Sequence, residues 1–382
     1  MTDFPAKTGP LGGIIVIELA GIGPGPYAGQ LLADMGADVV VIDRPGGGMP
    51  KAIDGRGKRS IVLDLKKPEA VETLLKLVAK ADVLIEGLRP GVTERMGVGP
   101  DACHAVNPGL IYGRMTGWGQ SGPWSQMAGH DINYISMTGV LNAIGKDGQP
   151  PVPPLNMVGD FGGGSMFLLS GILAALIERG RTGKGNVVDA AIIDGTHSLL
   201  SFVHGMAGLG QWQIKREANL LDGAAPFYRC YMTADGKFMA VGCIEPQFFA
   251  AMRERPPIDQ GALGHQHDMA ARAKQHEMLE DVFATKTRDE WEAIFAGTDA
   301  CVTPVLDYVE AAAHPANAER QAVVQDGRWL HPQVAPRLAT QPLASHFEIA
   351  TKGGDYAAIL AGAGLGESDI SQLIAAGAVI AN

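Results

Sequence analysis

Two ionisable side chains are set in glycine. Gly129-His130-Asp131 opens one apolar, helix-like run, and Gly159-Asp160-Phe161-Gly162-Gly163-Gly164 opens another. A histidine and an aspartate at two such starts can flank one carbon, one taking a proton from one face and the other returning it to the opposite face. Each also has a structural alternative. His130 can satisfy a backbone group near a helix start, with Asp131 as the cap, and Asp160 can cap the helix that runs on from Gly162. Three successive glycines exceed what a cap needs, and they let a ligand or a neighbouring backbone approach closely. Ile132, Ile135, Val140 and Ile144 read as the buried stripe of a helix begun at His130. Its N-terminus would offer free N–H groups to a developing oxyanion. Glu245 lies between Val241-Gly242-Cys243-Ile244 and Pro246-Gln247-Phe248. Such a carboxylate caps a helix, or orients a histidine and raises its basicity.

Lys51, Arg56, Lys58 and Arg59 form a basic cluster, and Arg89 and Arg95 lie beyond the next strand, in Gly87 to Arg95. Cations at two strand ends suit a phosphate-bearing ligand; the alternative is a solvated loop with ion pairs. Gly21-Ile22-Gly23-Pro24-Gly25-Pro26 resembles a dinucleotide turn, with Asp43 near the distance of a ribose-binding acid. Its third glycine is replaced by Pro26, and Pro24 and Pro26 lack N–H groups for a pyrophosphate. The turn therefore reads as a stiff strand–helix connection.

The elements that must hold these residues alternate. Ile14 to Leu19, Val39 to Ile42, Ser60 to Leu65, Val83 to Glu86 and Leu110 to Gly113 read as buried strands, with helices at Tyr27 to Met35 and Glu69 to Lys80. This predicts an α/β, Rossmann-like, doubly wound large domain. Met166 to about Gly210 is mostly helical, with a strand at Asn186 to Ala190. Pro226 to Gly242 reads as a hairpin turning at Ala234-Asp235-Gly236. The expected organisation is a large domain over residues 1–200, completed by about 325–382. A linker spans 201–225, a smaller α+β domain 226–312 and a return linker 313–324.

Composition narrows the function classes. The chain has 382 residues, 46% hydrophobic and 19% charged, which fits a folded globular protein. A net charge of −10 without a long basic run argues against nucleic acid. Cys103, Cys230, Cys243 and Cys301 form no CxxC pair and read as reduced residues of a cytoplasmic protein. The N-terminus has no signal-peptide pattern. The apolar run Met166 to Ile177 is too short to span a bilayer.

Taken together, several segments resemble the family III CoA transferases, and within them the racemising branch in its bacterial form. The matching stretches are Val16 to Pro26, Gly36 to Val40, Asp82 to Gly97, Arg114 to Gln120, Ala128 to Ile135, Pro154 to Phe167 and Val241 to Phe248. The resemblance spans about residues 10 to 310. It implies racemisation of 2-methylacyl-CoA thioesters by 1,1-proton transfer through an enolate. His130 and Asp160 would be the acid/base pair, with Glu245 hydrogen-bonded to the histidine. It also implies CoA contacts at Arg56, Lys58, Arg59, Leu88, Arg89 and Arg95, and an interlocked homodimer. Each active site would lie between the large domain of one subunit and the small domain of the other. No metal or redox cofactor is expected, CoA being part of the substrate. The chain departs from the family in carrying Val41 where arginine is frequent, and in its 255–267 text; the tail after about Ala339 has no match. The chief rival is CoA transfer, with Asp160 as a nucleophile forming a mixed anhydride. The other is an acyl-CoA-binding protein without catalysis.

Overall fold

The computed structural model describes residues 8–255 and 263–381. Residues 256–262, inside the 255–267 stretch noted above, lie outside the described residues. The chain divides into two compact units, Met1–Thr138 with Pro154–Ser201 and Gln321–Asn382, and Gly139–Pro153 with Phe202–Arg320. Residues 139–153, which the sequence reading assigns to the large domain, thus group with the second unit. The stripe read from His130 to Ile144 is broken for the same reason. Its helix ends at Met137, and Gly139 takes a left-handed conformation, φ 87°, before a separate short helix Val140–Ala143.

The first unit is built on β1 (Ile15–Leu19), β2 (Asp38–Asp43), β3 (Arg59–Leu63), β4 (Val83–Glu86), β5 (Ile111–Thr116) and β6 (Asn186–Ala191). These six strands run parallel in the order β3-β2-β1-β4-β5-β6. β1 and β2 are buried at every position, because the continuous β-branched runs read in the sequence have helices on both faces. Helices α1 (Pro24–Asp34) and α2 (Pro68–Val78) both begin with proline, whose fixed φ suits a first helical turn. The chain winds β1-β2-β3 to one side and then β4-β5-β6 to the other. That reversal leaves a crevice at the carboxyl ends of β1 and β4, where open α/β sheets bind ligands. α3 (Asp131–Met137), α4 (Met166–Thr182) and α5 (Ile192–Leu199) follow.

The apolar run read as Met166 to Ile177 is longer in the structure. A π-helix, Met157–Ser165, leads directly into α4, giving 26 helical residues with an 18-residue stretch of mean hydropathy 1.6, enough by length and composition to cross a membrane. One face of it packs into the core. Leu168, Leu169, Ile172 and Ala175 are buried, and side chains at Gly113 and Gly171 would strike Leu168 and Val188.

In the second unit, β7 (Tyr228–Met232), β8 (Phe238–Gly242) and β9 (Val302–Val305) form an antiparallel sheet. Tyr231, Phe249, Phe283 and Trp291 build its core against helices. The Arg216 guanidinium donates to the carbonyls of Asn142, Lys146 and Gln149, which ties the 139–153 segment to this unit. A hairpin of β10 (Val323–Asp326) and β11 (Trp329–Pro332) belongs to the first unit, as does β12 (Val379–Ile380), which pairs antiparallel with β3. The tail after Ala339, for which the sequence offered no usable pattern, completes the sheet through β12. It also holds the start of β3, where the Ser60 N–H donates to Asp355 Oδ2 at 2.9 Å.

The basic cluster before β3 is structural. Arg56 is buried and donates through Nε and Nη2 to both oxygens of Asp34 at 3.0 and 2.6 Å. Its Nη1 donates to the Pro332 carbonyl, and the Phe347 ring lies 3.6 Å from its guanidinium carbon. Lys58 is closed off from solvent between Glu18, at 2.8 and 3.1 Å, and the Pro26 carbonyl at 2.8 Å. Arg59 pairs with Asp38. In this chain the three cations expected at the CoA, Arg56, Lys58 and Arg59, are paired with buried carboxylates. Sequence spacing did not reveal this because the partners lie on β1, β2 and α1.

Lys58→Met leaves Glu18 buried without its cation. It should destabilise the protein by about 3–5 kcal/mol, read as a lower urea midpoint. An unchanged midpoint would contradict the burial of this pair.

Candidate active site

A cavity of about 680 Å³ opens at the carboxyl ends of β1, β4 and β5. Both His130 and Asp160 line it, so the fold brings the two residues singled out in the sequence to one space. The turn Gly21 to Pro26 forms one wall. Gly23 is left-handed there, φ 70°, and a side chain at this position would come within 3.0 Å of Asp160 Oδ2. The turn gives room to a carboxyl group rather than a pyrophosphate.

Asp160 does not cap a helix. It lies in the first turn of the π-helix, whose extra residue per turn is a local distortion often found at functional sites. The three following glycines explain how that distortion is packed. A Cβ at Gly163 would lie 2.9 Å from the Ile192 carbonyl and collide with Thr196. One at Gly195 would collide with the Gly163 carbonyl, and one at Gly164 would lie 3.1 Å from Ile192 and Pro24. The glycines thus admit a neighbouring helix backbone, α5, rather than a ligand.

His130 stands at the N-terminal boundary of α3, exposed to the cavity, and its backbone N–H donates to Asn133 Oδ1 at 3.1 Å. Asp131 is the next residue, and it does not cap its own helix as the sequence suggests. Its Oδ2 accepts the backbone N–H of Asp160 at 2.7 Å. The Asp160 carboxyl is raised above the usual carboxylate range, first by burial and then by the Asp131 charge. A hydrogen bond from Asn156 and the nearby His130 act the other way. Burial likewise raises Asp131, with backbone hydrogen bonding acting the other way.

Leu88 and Arg89 also line the cavity. Their loop is held by Glu86, which accepts the Leu88 N–H at 2.7 Å and is itself paired with Arg114 at 3.0 Å. Arg95 is exposed and lies outside the cavity lining; Glu245 belongs to the second unit, at the start of helix Pro246–Arg253. Two aromatic residues of the cavity were not singled out in the sequence. Trp118 and Tyr134 meet edge-to-face at 4.8 Å, and Trp124 packs on Trp118 at 4.9 Å. The available signal was position: Trp118 follows a strand that ends at the crevice. Among the described residues no group of three His, Cys, Asp or Glu is set to hold a metal ion.

Comparison with known proteins agrees with this geometry. The description of CoA-transferase family III matches residues 11–347. The chain is 45% identical to the α-methylacyl-CoA racemase of Mus musculus, covering 95% of this chain and 96% of that one. It is 46% identical to the α-methylacyl-CoA racemase of Homo sapiens, covering 88% and 89%. Among solved structures, a CAIB/BAIF family protein from Brucella suis superposes with a TM-score of 0.81 at 27% identity, covering 93% of this chain and 99% of that one. The chain belongs to CoA-transferase family III.

Proposed function

We propose that this chain is an isomerase that interconverts (R)- and (S)-2-methylacyl-CoA thioesters, with His130 and Asp160 as the acid/base pair. The observation that carries the reading is that both side chains line one cavity, with the Asp160 carboxyl held above its ordinary range. The likeness to two α-methylacyl-CoA racemases supports the substrate class.

A thioester weakly acidifies its α-carbon, and the enolate oxygen formed on deprotonation needs stabilising dipoles. Neutral His130 removes the α-proton from one face while protonated Asp160 donates to the other. The opposite enantiomer uses imidazolium and carboxylate. A near-symmetric reaction needs both states at working pH. An ordinary carboxyl near 3.9 and an ordinary imidazole near 6.5 are too far apart for that. Raising Asp160 narrows the gap. The likeness to two α-methylacyl-CoA racemases disfavours the transferase reading, in which Asp160 is a nucleophile. Arg89 and Leu88 at the cavity are the favoured CoA contacts, with Arg95 beyond them.

An interlocked homodimer is part of the proposal, with Glu245 of one subunit supporting the histidine of the other. Exposed apolar residues on α4 and α5 suit such an interface, Ile177 being 69% and Leu199 52% exposed. Four free cysteines fit a reducing, cytoplasmic setting.

Incubation of one enantiomer of a 2-methylacyl-CoA in deuterated water, with no acceptor acid, should give α-deuteration together with loss of chirality. Acyl exchange on adding a carboxylic acid, without deuteration, would indicate the transferase; neither activity would indicate a binding protein. His130→Ala should reduce racemisation at least about a thousandfold, and retained racemisation in that variant would remove His130 from the pair. Glu245→Gln should lower kcat and alter its pH profile; an unchanged rate and profile would end the supporting role of Glu245.

A further inference from the structure

Asp131 is the buried ionisable group next to the reacting pair that the mechanism above leaves without a task. It is 8% exposed, and its two carboxylate oxygens are treated differently. Oδ2 takes the N–H of Asp160, while Oδ1 is buried with no hydrogen-bond partner. Capping one N–H group needs one oxygen, which an asparagine or a serine supplies equally well. A buried, half-satisfied carboxylate is a costly way to do it, since an unpaired charged oxygen carries its full desolvation penalty. The fold makes room for that carboxylate at a specific place. A side chain at Gly159 would collide with Asp131 Oδ2 and lie 2.8 Å from Ile135, so only glycine lets the carboxylate reach the peptide before Asp160.

We propose that Asp131 is a positioning residue acting through Asp160, fixing the peptide that carries the Asp160 carboxyl and setting a fixed negative charge beside it. The proposal rests on the reading of Asp160 as an acid/base group. The hydrogen bond holds the π-helical turn in the orientation that aims Asp160 into the cavity. The charge favours the protonated form of Asp160, the form that must donate in one direction of the reaction. The two carboxyls therefore titrate as a coupled pair. The other groups around Asp160 are few. From α3 come His130 and Tyr134, and from the preceding loop Asn156 donates to Asp160 Oδ2 at 3.5 Å. Arg89 lines the same cavity from the β4 loop. α1 presents Tyr27 to the adjoining Phe161 ring, and α5 presents Thr196 to Gly163. Among these, Asp131 supplies the negative charge that raises the Asp160 carboxyl.

The test separates clamp from charge. Asp131→Asn keeps an oxygen acceptor and removes the charge; Asp131→Ser keeps a shorter acceptor and also removes it. With the parent enzyme, α-proton exchange of a 2-methylacyl-CoA in deuterated water gives kcat/KM against pH. Removing the negative neighbour lets Asp160 release its proton at lower pH. The acid limb of the profile should therefore move down by about one pH unit in both variants, with the urea midpoint of Asp131→Asn near the parent's. Asp131→Ala, lacking the clamp as well, should lower kcat about ten- to a hundredfold with little change in KM. Folded Asp131→Asn and Asp131→Ser variants whose profiles superimpose on the parent's would overturn the proposal. Asp160→Asn is the control for the underlying reading. If it exchanges the α-proton normally, that reading fails and the proposal with it. If it is inactive while the Asp131 profiles are unmoved, only the proposal fails.

Discussion

The site depends on one close contact, the backbone of the π-helix Met157–Ser165 pressed against α5. Gly163 and Gly195 meet there with no room for a side chain on either, and Thr196 closes the gap. Close packing of this kind leaves a turn few alternative positions. The π-helix carries Asp160 in its first turn and runs without a break into α4, which lies against the sheet. The position of the candidate acid is thus set by the same contact that joins α5, α4 and β5 into one core. The distortion of the helix is held by packing on its glycine face and by Asp131 at its start.

The second constraint is topological. Reversal of strand order beside β1 leaves a crevice that a parallel sheet cannot fill with its own crossovers. Three separate stretches of chain meet at its rim: the Gly21 to Pro26 turn, the Gly87 to Arg89 loop and the start of α3. Each is fastened from behind by ionic or hydrogen-bonded groups that do not line the cavity. Lys58 holds Glu18 and the Pro26 carbonyl, Glu86 with Arg114 holds the Leu88 peptide, and Asp131 holds the Asp160 peptide. These three groups are buried charges set behind the functional rim.

Much of this was legible in the sequence because it is local. Continuous β-branched runs marked the parallel strands, and glycine-flanked His130 and Asp160 marked the cavity. What sequence could not supply was long-range pairing. Arg56, Lys58 and Arg59 sit in a row that looks like an anion site, and only the fold brings Asp34, Glu18 and Asp38 to them. The same holds for Asp131, whose cap serves a turn on another element, and for Trp118 and Tyr134, which meet across the cavity wall. The helical stripe after His130 failed at Gly139, where a left-handed residue outweighs apolar spacing. The C-terminal tail, without any motif, closes the sheet through β12.

The central claim is that two different groups act on opposite faces of one carbon. The most direct measurement is where deuterium goes in the earliest phase of reaction, starting from a single enantiomer of 2-methylacyl-CoA in deuterated water. With two bases, each holding one proton, the label should enter the product enantiomer while unreacted substrate stays protiated. Equal early labelling of substrate and product would mean that one group serves both faces, and would contradict the assignment of His130 and Asp160 as an opposed pair.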